Sequence, residues 1–263
     1  MKKDDEKNNI YAFQSKATFS RSSQDQTKMA KQPMFHLPSI LLWFVGSLFL
    51  IHLLRLFLPV AMENNLIISM AFNPLRYGDM AGLFPENILP PIFFKVATFV
   101  TYSLLHNGWM HIVFNSLWLI IFGAPVAWRF GNMRFIMLCM MTAFGGAFAH
   151  LIFHFGANIP MIGASAITSG AMAATMCFAF TGSIHYIPQS DPRRYRLPAP
   201  SFKDAFTTPL VAVLFGVWLV FNLMHFLLPS FGGGNIAWQA HIGGFCAGII
   251  SFYLLDPIRK LAR

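Results

Sequence analysis

Polar residues crowd the first 35 positions, and from there to the end apolar runs of about 20 residues alternate with short polar breaks. A hydrocarbon core ~30 Å thick needs about 20 apolar residues per helical span. The pattern therefore predicts six spans, roughly 40–62, 109–128, 135–155, 165–184, 209–228 and 237–255. The stretch between the first two is more broken, with Asn64, Asn65, Asn73, Pro74, Arg76, Asp79, Pro85, Glu86, Pro90 and Pro91 around PPIFFKVATFVTYSLL. It reads as a large loop carrying short helices at the interface, where aromatic residues are at home. The expected fold is an all-α, polytopic six-helix membrane bundle over 36–256. A disordered cytoplasmic tail (1–35) precedes it and a basic cytoplasmic C-terminus (257–263) follows.

Composition supports this: 56% of the 263 residues are hydrophobic and 11% are charged, far from an ordinary soluble protein. The net charge of +9 raises nucleic acid as a partner, but the basic residues lie between spans instead of on one soluble face. Seven Lys and Arg precede the first span, two follow the second (Arg129, Arg134), four follow the fourth and three close the chain. Arg55, Arg76 and Lys95 alone fall on the other side, so the positive-inside rule puts both termini in the cytoplasm. No secretory signal is expected, because the first apolar stretch begins late and is long enough to span. Cys139, Cys177 and Cys246 fall in apolar spans without paired spacing and read as buried, inert thiols; neither a disulfide framework nor a zinc site is expected.

Polar residues inside spans are costly and therefore functional candidates. Three clusters stand out, all near the outer side by this topology. HNGWMHIVFN brings His106, His111 and Asn115 to the start of the second span, with His111 and Asn115 four apart on one helix face. Gly163 and Ser165 open the fourth span, where a helix N-terminus suits a developing anion. AHIGG sets His241 in the sixth span, three residues before Gly244. A serine, histidines and an asparagine at one depth are the parts of a hydrolytic site.

With HNGWMHIVFN, GAS and AHIGGFCAG in this order and topology, the sequence resembles the rhomboid family of intramembrane serine proteases, over roughly residues 36–256. The resemblance implies Ser165 as nucleophile and His241 as general base. It makes His111 and Asn115, with the Ser165 N–H, the oxyanion hole, gives His106 a supporting role, and sets Phe114 beside the substrate opening. Gly163 and Gly244 support the site. The sequence departs from the family pattern at Ala166, where Gly is common, and lacks the Trp-Arg pair of the first outer loop.

No Asp or Glu lies in a span near His241, so a Ser-His dyad without cofactor or metal is expected. Its partners are then single-span transmembrane substrates and the bilayer, not nucleic acid, and its location a bacterial inner (plasma) membrane. Substrate is expected to arrive beside the fifth span, with Gly232, Gly233 and Gly234 as a flexible cap. Two alternatives stay open: an inactive rhomboid-like binder of membrane proteins, and a transporter using His106, His111, His150, His154 and His241.

Overall fold

The computed structural model describes residues 37–78, 91–180, 191–228 and 236–258. The tail, the cap glycines Gly232, Gly233 and Gly234, and the last five residues lie outside the described residues. The helices are α1 (Ser39–Arg55), α2 (Val60–Met70), α3 (Pro91–Thr101), α4 (Trp109–His154), α5 (Ser165–Met176), α6 (Phe202–Phe206), α7 (Pro209–Leu227) and α8 (Trp238–Leu255). Among the described residues there is no strand, only an isolated antiparallel bridge between Phe72 and Met161.

The predicted first span breaks early. α1 ends at Arg55, and Pro59, which disfavours helix at the residue before it, starts α2 as a separate element. The predicted second and third spans merge into α4, which reverses at Gly131; φ is 73° there, a left-handed value that glycine adopts without Cβ strain. At 1.5 Å per residue each arm is about 33 Å long. α4, α7 and α8 are each long and apolar enough to cross a membrane, and α1, with 17 residues, is an apolar helix just short of that length. The loop helices α2 and α3 take the short form expected of them.

The core forms around α5. All of its residues after Ser165 are buried, and most are small (SAITSGAMAATM). Small side chains let backbones approach where lipid supplies no hydrophobic force to bring helices together. A Cβ built on Gly244 or Gly248 of α8 would collide with the backbone of Ala166 or Gly170, and one on Gly243 with Gly145 of α4. The second arm of α4, α5 and α8 are thus in backbone contact along one seam.

At the far end of that seam, buried Arg129 forms a two-pronged ion pair with Asp256: Nε to Oδ1 at 2.9 Å and Nη2 to Oδ2 at 2.8 Å. Its Nη1 donates to the Tyr195 and Leu197 carbonyls at 2.7 Å, and the guanidinium lies 4.7 Å over Phe178. Such a fork satisfies a charge that burial would otherwise penalise.

The outside is apolar. Trp43, Phe57 and Val217 are among many large hydrophobic side chains left uncovered, a surface suited to lipid. Cys139 and Cys177 are buried as expected, whereas Cys246 is exposed on α8 and faces this surface.

Candidate active site

Ser165 is the first residue of α5, half-buried at its open end. The first N–H groups of a helix have no intrahelical acceptor, so the Ser165 N–H points out of the helix as a free donor. Gly163 leads into it with φ of 122° while its N–H donates to the Tyr102 carbonyl at 3.0 Å. Glycine is required here on two grounds: the positive φ, and a Cβ that would stand 2.6 Å from Nε2 of His111.

His111 and Asn115 lie one turn apart on the first arm of α4. The Asn107 N–H donates to His111 Nδ1 at 3.2 Å. A neutral imidazole that accepts at Nδ1 carries its hydrogen on Nε2, so His111 presents an N–H toward Gly163. Asn115 is buried and donates from Nδ2 to the His111 carbonyl at 3.0 Å, which leaves a second amide hydrogen for another acceptor. Nδ2 lies 3.8 Å from where a Gly163 Cβ would be. The two donors therefore bracket the approach to Ser165.

His106 is buried behind them, with its ring edge-on to His111 at 5.1 Å and its Nε2 accepting the Ala164 N–H at 3.3 Å. Its carbonyl accepts from Arg55 Nη1 at 2.9 Å, and Arg55 pairs with Glu63 at 3.0 Å. The segment before α4 is thereby tied to α1 and α2. The first loop is pinned across the same end by paired Phe72 and Met161 backbone bonds and by Asn73 to Asn158 at 2.8 Å.

His241 sits on α8 one turn before Gly244, on the face that meets α5 at Ala166. No hydrogen bond joins the Ser165 hydroxyl to His241; catalytic bonds of this kind often tighten only on substrate binding. Nδ1 of His241 is engaged at 2.8 Å by Oδ1 of Asn222, a buried residue of α7. Sequence reasoning passed over Asn222, although it and His225 are the polar residues of an otherwise apolar span, which is the signal that marks intramembrane function. Phe114 stands exposed on the outward side of α4, away from these contacts. The methyl of Ala166 points at Gly146 of α4, where a Cβ would come within 2.5 Å of it. The extra carbon at this position is accommodated by a missing one across the seam.

His150 and His154 are committed to other bonds: His150 Nε2 donates to the Ile159 carbonyl at 3.0 Å, and His154 Nε2 lies 2.9 Å from Gln239 Nε2. Among the described residues no group of three or more His, Cys, Asp or Glu converges on a metal-sized site.

An all-helical bundle with an apolar outer surface and a polar cluster at the start of a buried helix defines an integral membrane protein. Residues 94–257 match the Rhomboid domain family, and the chain belongs to that family. It is similar to rhomboid protease GlpG of Haemophilus influenzae, 24% identical over 168 residues, 63% of this chain and 73% of that protein. It is also similar to RHOMBOID-like protein 12, mitochondrial, of Arabidopsis thaliana, 27% identical over 60% of this chain and 46% of that one. A Mycobacterium leprae protein, ML1171, is 28% identical over 60% of this chain and 55% of its own length. The match thus spans about half the length of two of these relatives.

Proposed function

We propose that the chain is an intramembrane serine endopeptidase that cuts single-span membrane proteins with a Ser165–His241 dyad. One observation carries the reading: around the start of α5, His111 presents an N–H while His241 is held with the opposite nitrogen hydrogen-bonded away. A donor and a base are what acyl transfer from a serine requires.

Ser165 Oγ attacks the scissile carbonyl carbon and its proton passes to His241 Nε2. The electron pair of the carbonyl moves to oxygen, which Nε2–H of His111, Nδ2–H of Asn115 and the Ser165 N–H stabilise. Collapse of this intermediate expels the amine, which takes the proton back from His241, and water later releases the acyl group by the same steps. His106 supports the loop that holds Ala164, and Phe114 borders the opening through which substrate arrives.

Both arms of α4, α7 and α8 are long enough to cross, and the reading takes α1 and the shorter α5 as two further crossings, six in all, in a bacterial plasma membrane; the distribution of Lys and Arg supports cytoplasmic termini. At 12 residues α5 is about 18 Å long, well short of the ~30 Å core. Ser165 then lies below the outer surface, roofed by the first loop, where water and a locally unwound substrate helix meet.

The test is cleavage of a generic single-span substrate in liposomes by wild type, Ser165→Ala and Asn115→Ala. Wild type cleaves and Ser165→Ala does not, and Asn115→Ala loses about 10²–10³ in kcat, the usual cost of one oxyanion donor. Equal cleavage by Ser165→Ala and wild type would exclude the serine mechanism. A folded wild type that neither cleaves nor reacts with a fluorophosphonate would favour the inactive membrane-protein binder.

A further inference from the structure

Asn222 does more than fill a helix face. Its Nδ2 lies 2.7 Å from the Trp218 carbonyl, one turn back on α7. A carbonyl can only accept, so the amide is oriented with Nδ2 on Trp218 and Oδ1 on His241. An amide oxygen can also only accept. Nδ1 of His241 therefore carries the hydrogen, and the lone pair of the neutral ring is on Nε2. The neighbouring His225 donates from Nδ1 to the Phe221 carbonyl at 2.8 Å, one turn back on the same helix.

A general base must offer a lone pair to the serine hydroxyl, and an imidazole in the other tautomer cannot. We propose that Asn222 is the positioning residue that holds His241 in its base-competent tautomer, so that the site works as a Ser-His-Asn unit assembled from α5, α8 and α7. This rests on the Ser165–His241 reading and answers the question it leaves open, since among the described residues no carboxylate is bonded to His241 to orient the base. It adds a condition. α7 has only Val211, Asn222 and His225 buried among its 19 residues, so the base is oriented only while this lightly held helix is docked.

The experiment compares wild type, Asn222→Leu, Asn222→Asp, Ser165→Ala and His241→Ala. Leucine keeps the bulk and removes the acceptor, whereas aspartate keeps it. Asn222→Leu is expected to lower kcat about 10- to 100-fold, the range usual for lost orienting partners, with KM within twofold and thermal unfolding little changed. Asn222→Asp is expected to recover most of that loss. In protein labelled with ¹⁵N-histidine, with the His241 signals assigned by their absence from His241→Ala, Nε2 should read as unprotonated in wild type and in Ser165→Ala. In Asn222→Leu it should read as a mixture of tautomers.

Unchanged kcat in Asn222→Leu, or an unchanged His241 tautomer, would overturn the assignment while leaving an inactive Ser165→Ala as support for the dyad. Cleavage by Ser165→Ala would instead overturn the dyad itself. The tautomer measurement does not depend on turnover, so it tests Asn222 even in protein that cuts nothing.

Discussion

The α4–α5–α8 seam and α7 are built from opposite materials. In the seam, glycines of one helix lie against the backbone of the next, and buried positions run the whole length of α5. α7 has large apolar residues nearly all round, with Val213, Val217 and Leu227 left uncovered. It reaches the bundle through Trp218 and Phe215 against Phe245 at 4.4 and 5.4 Å, Phe226 against Trp238 at 5.0 Å, buried Val211, and the Asn222–His241 bond. Close packing makes a rigid frame, because every displacement costs contacts on both sides. A helix held by a few ring contacts and one polar pair can move at less cost than one packed backbone to backbone. The proposed nucleophile and base stand on the frame and the oxyanion donors on the first arm of α4, while the group that orients the base stands on the more lightly held α7.

The comparison is broken most severely by a side chain in the seam. Gly248→Val places branched carbons against the Gly170 backbone, which cannot yield as a flexible side chain would. The expected loss exceeds about 4 kcal/mol, at the extreme end of single substitutions. Monodisperse protein recovered from detergent should fall to near nothing, and a stable, active Gly248→Val protein would mean the seam is looser than the structure has it.

Much of the frame was legible in the sequence, and the reasons differ by element. The arms of α4 were separable because Arg129, Gly131 and Arg134 interrupt two apolar runs. Ser165 marked a helix start because glycine and small residues precede it. The predicted first span is too long, since hydrophobicity continues through Leu56 and Phe57 while the helix ends at Arg55 and Pro59 caps the next one. In the sequence Arg129 is only a topology signal; its partner Asp256 is 127 residues away, and no local pattern announces such a pairing. The same holds for Asn222: a lone polar residue in an apolar run shows that something needs it, but not which helix it faces.

A milder intervention acts on α7 alone. Trp218→Ala removes the stack on Phe245 but leaves the backbone carbonyl that Asn222 uses. Lipid replaces the lost apolar contact, so the cost reduces to the specific aromatic term, about 0.5–1.5 kcal/mol. If substrate passes beside α7, a helix undocked more cheaply by that amount is displaced roughly two- to tenfold more often. Cleavage of a transmembrane substrate should rise by that factor relative to an unstructured soluble peptide. Equal effects on both substrates would place the opening elsewhere.

The smallest effect is expected at a glycine that shares the chemistry of Gly248 and none of its surroundings. A Cβ on Gly216 of α7 would meet nothing within 4 Å. Gly216→Ala therefore adds a methyl group to open space facing lipid and relieves the helix of glycine's backbone entropy, a gain of about 0.5–1 kcal/mol. Thermal unfolding should move slightly upward or stay in place, and cleavage should match wild type. A large loss at this position would show that α7 packs against something along its outer face, and its freedom to shift would then have to be abandoned with it.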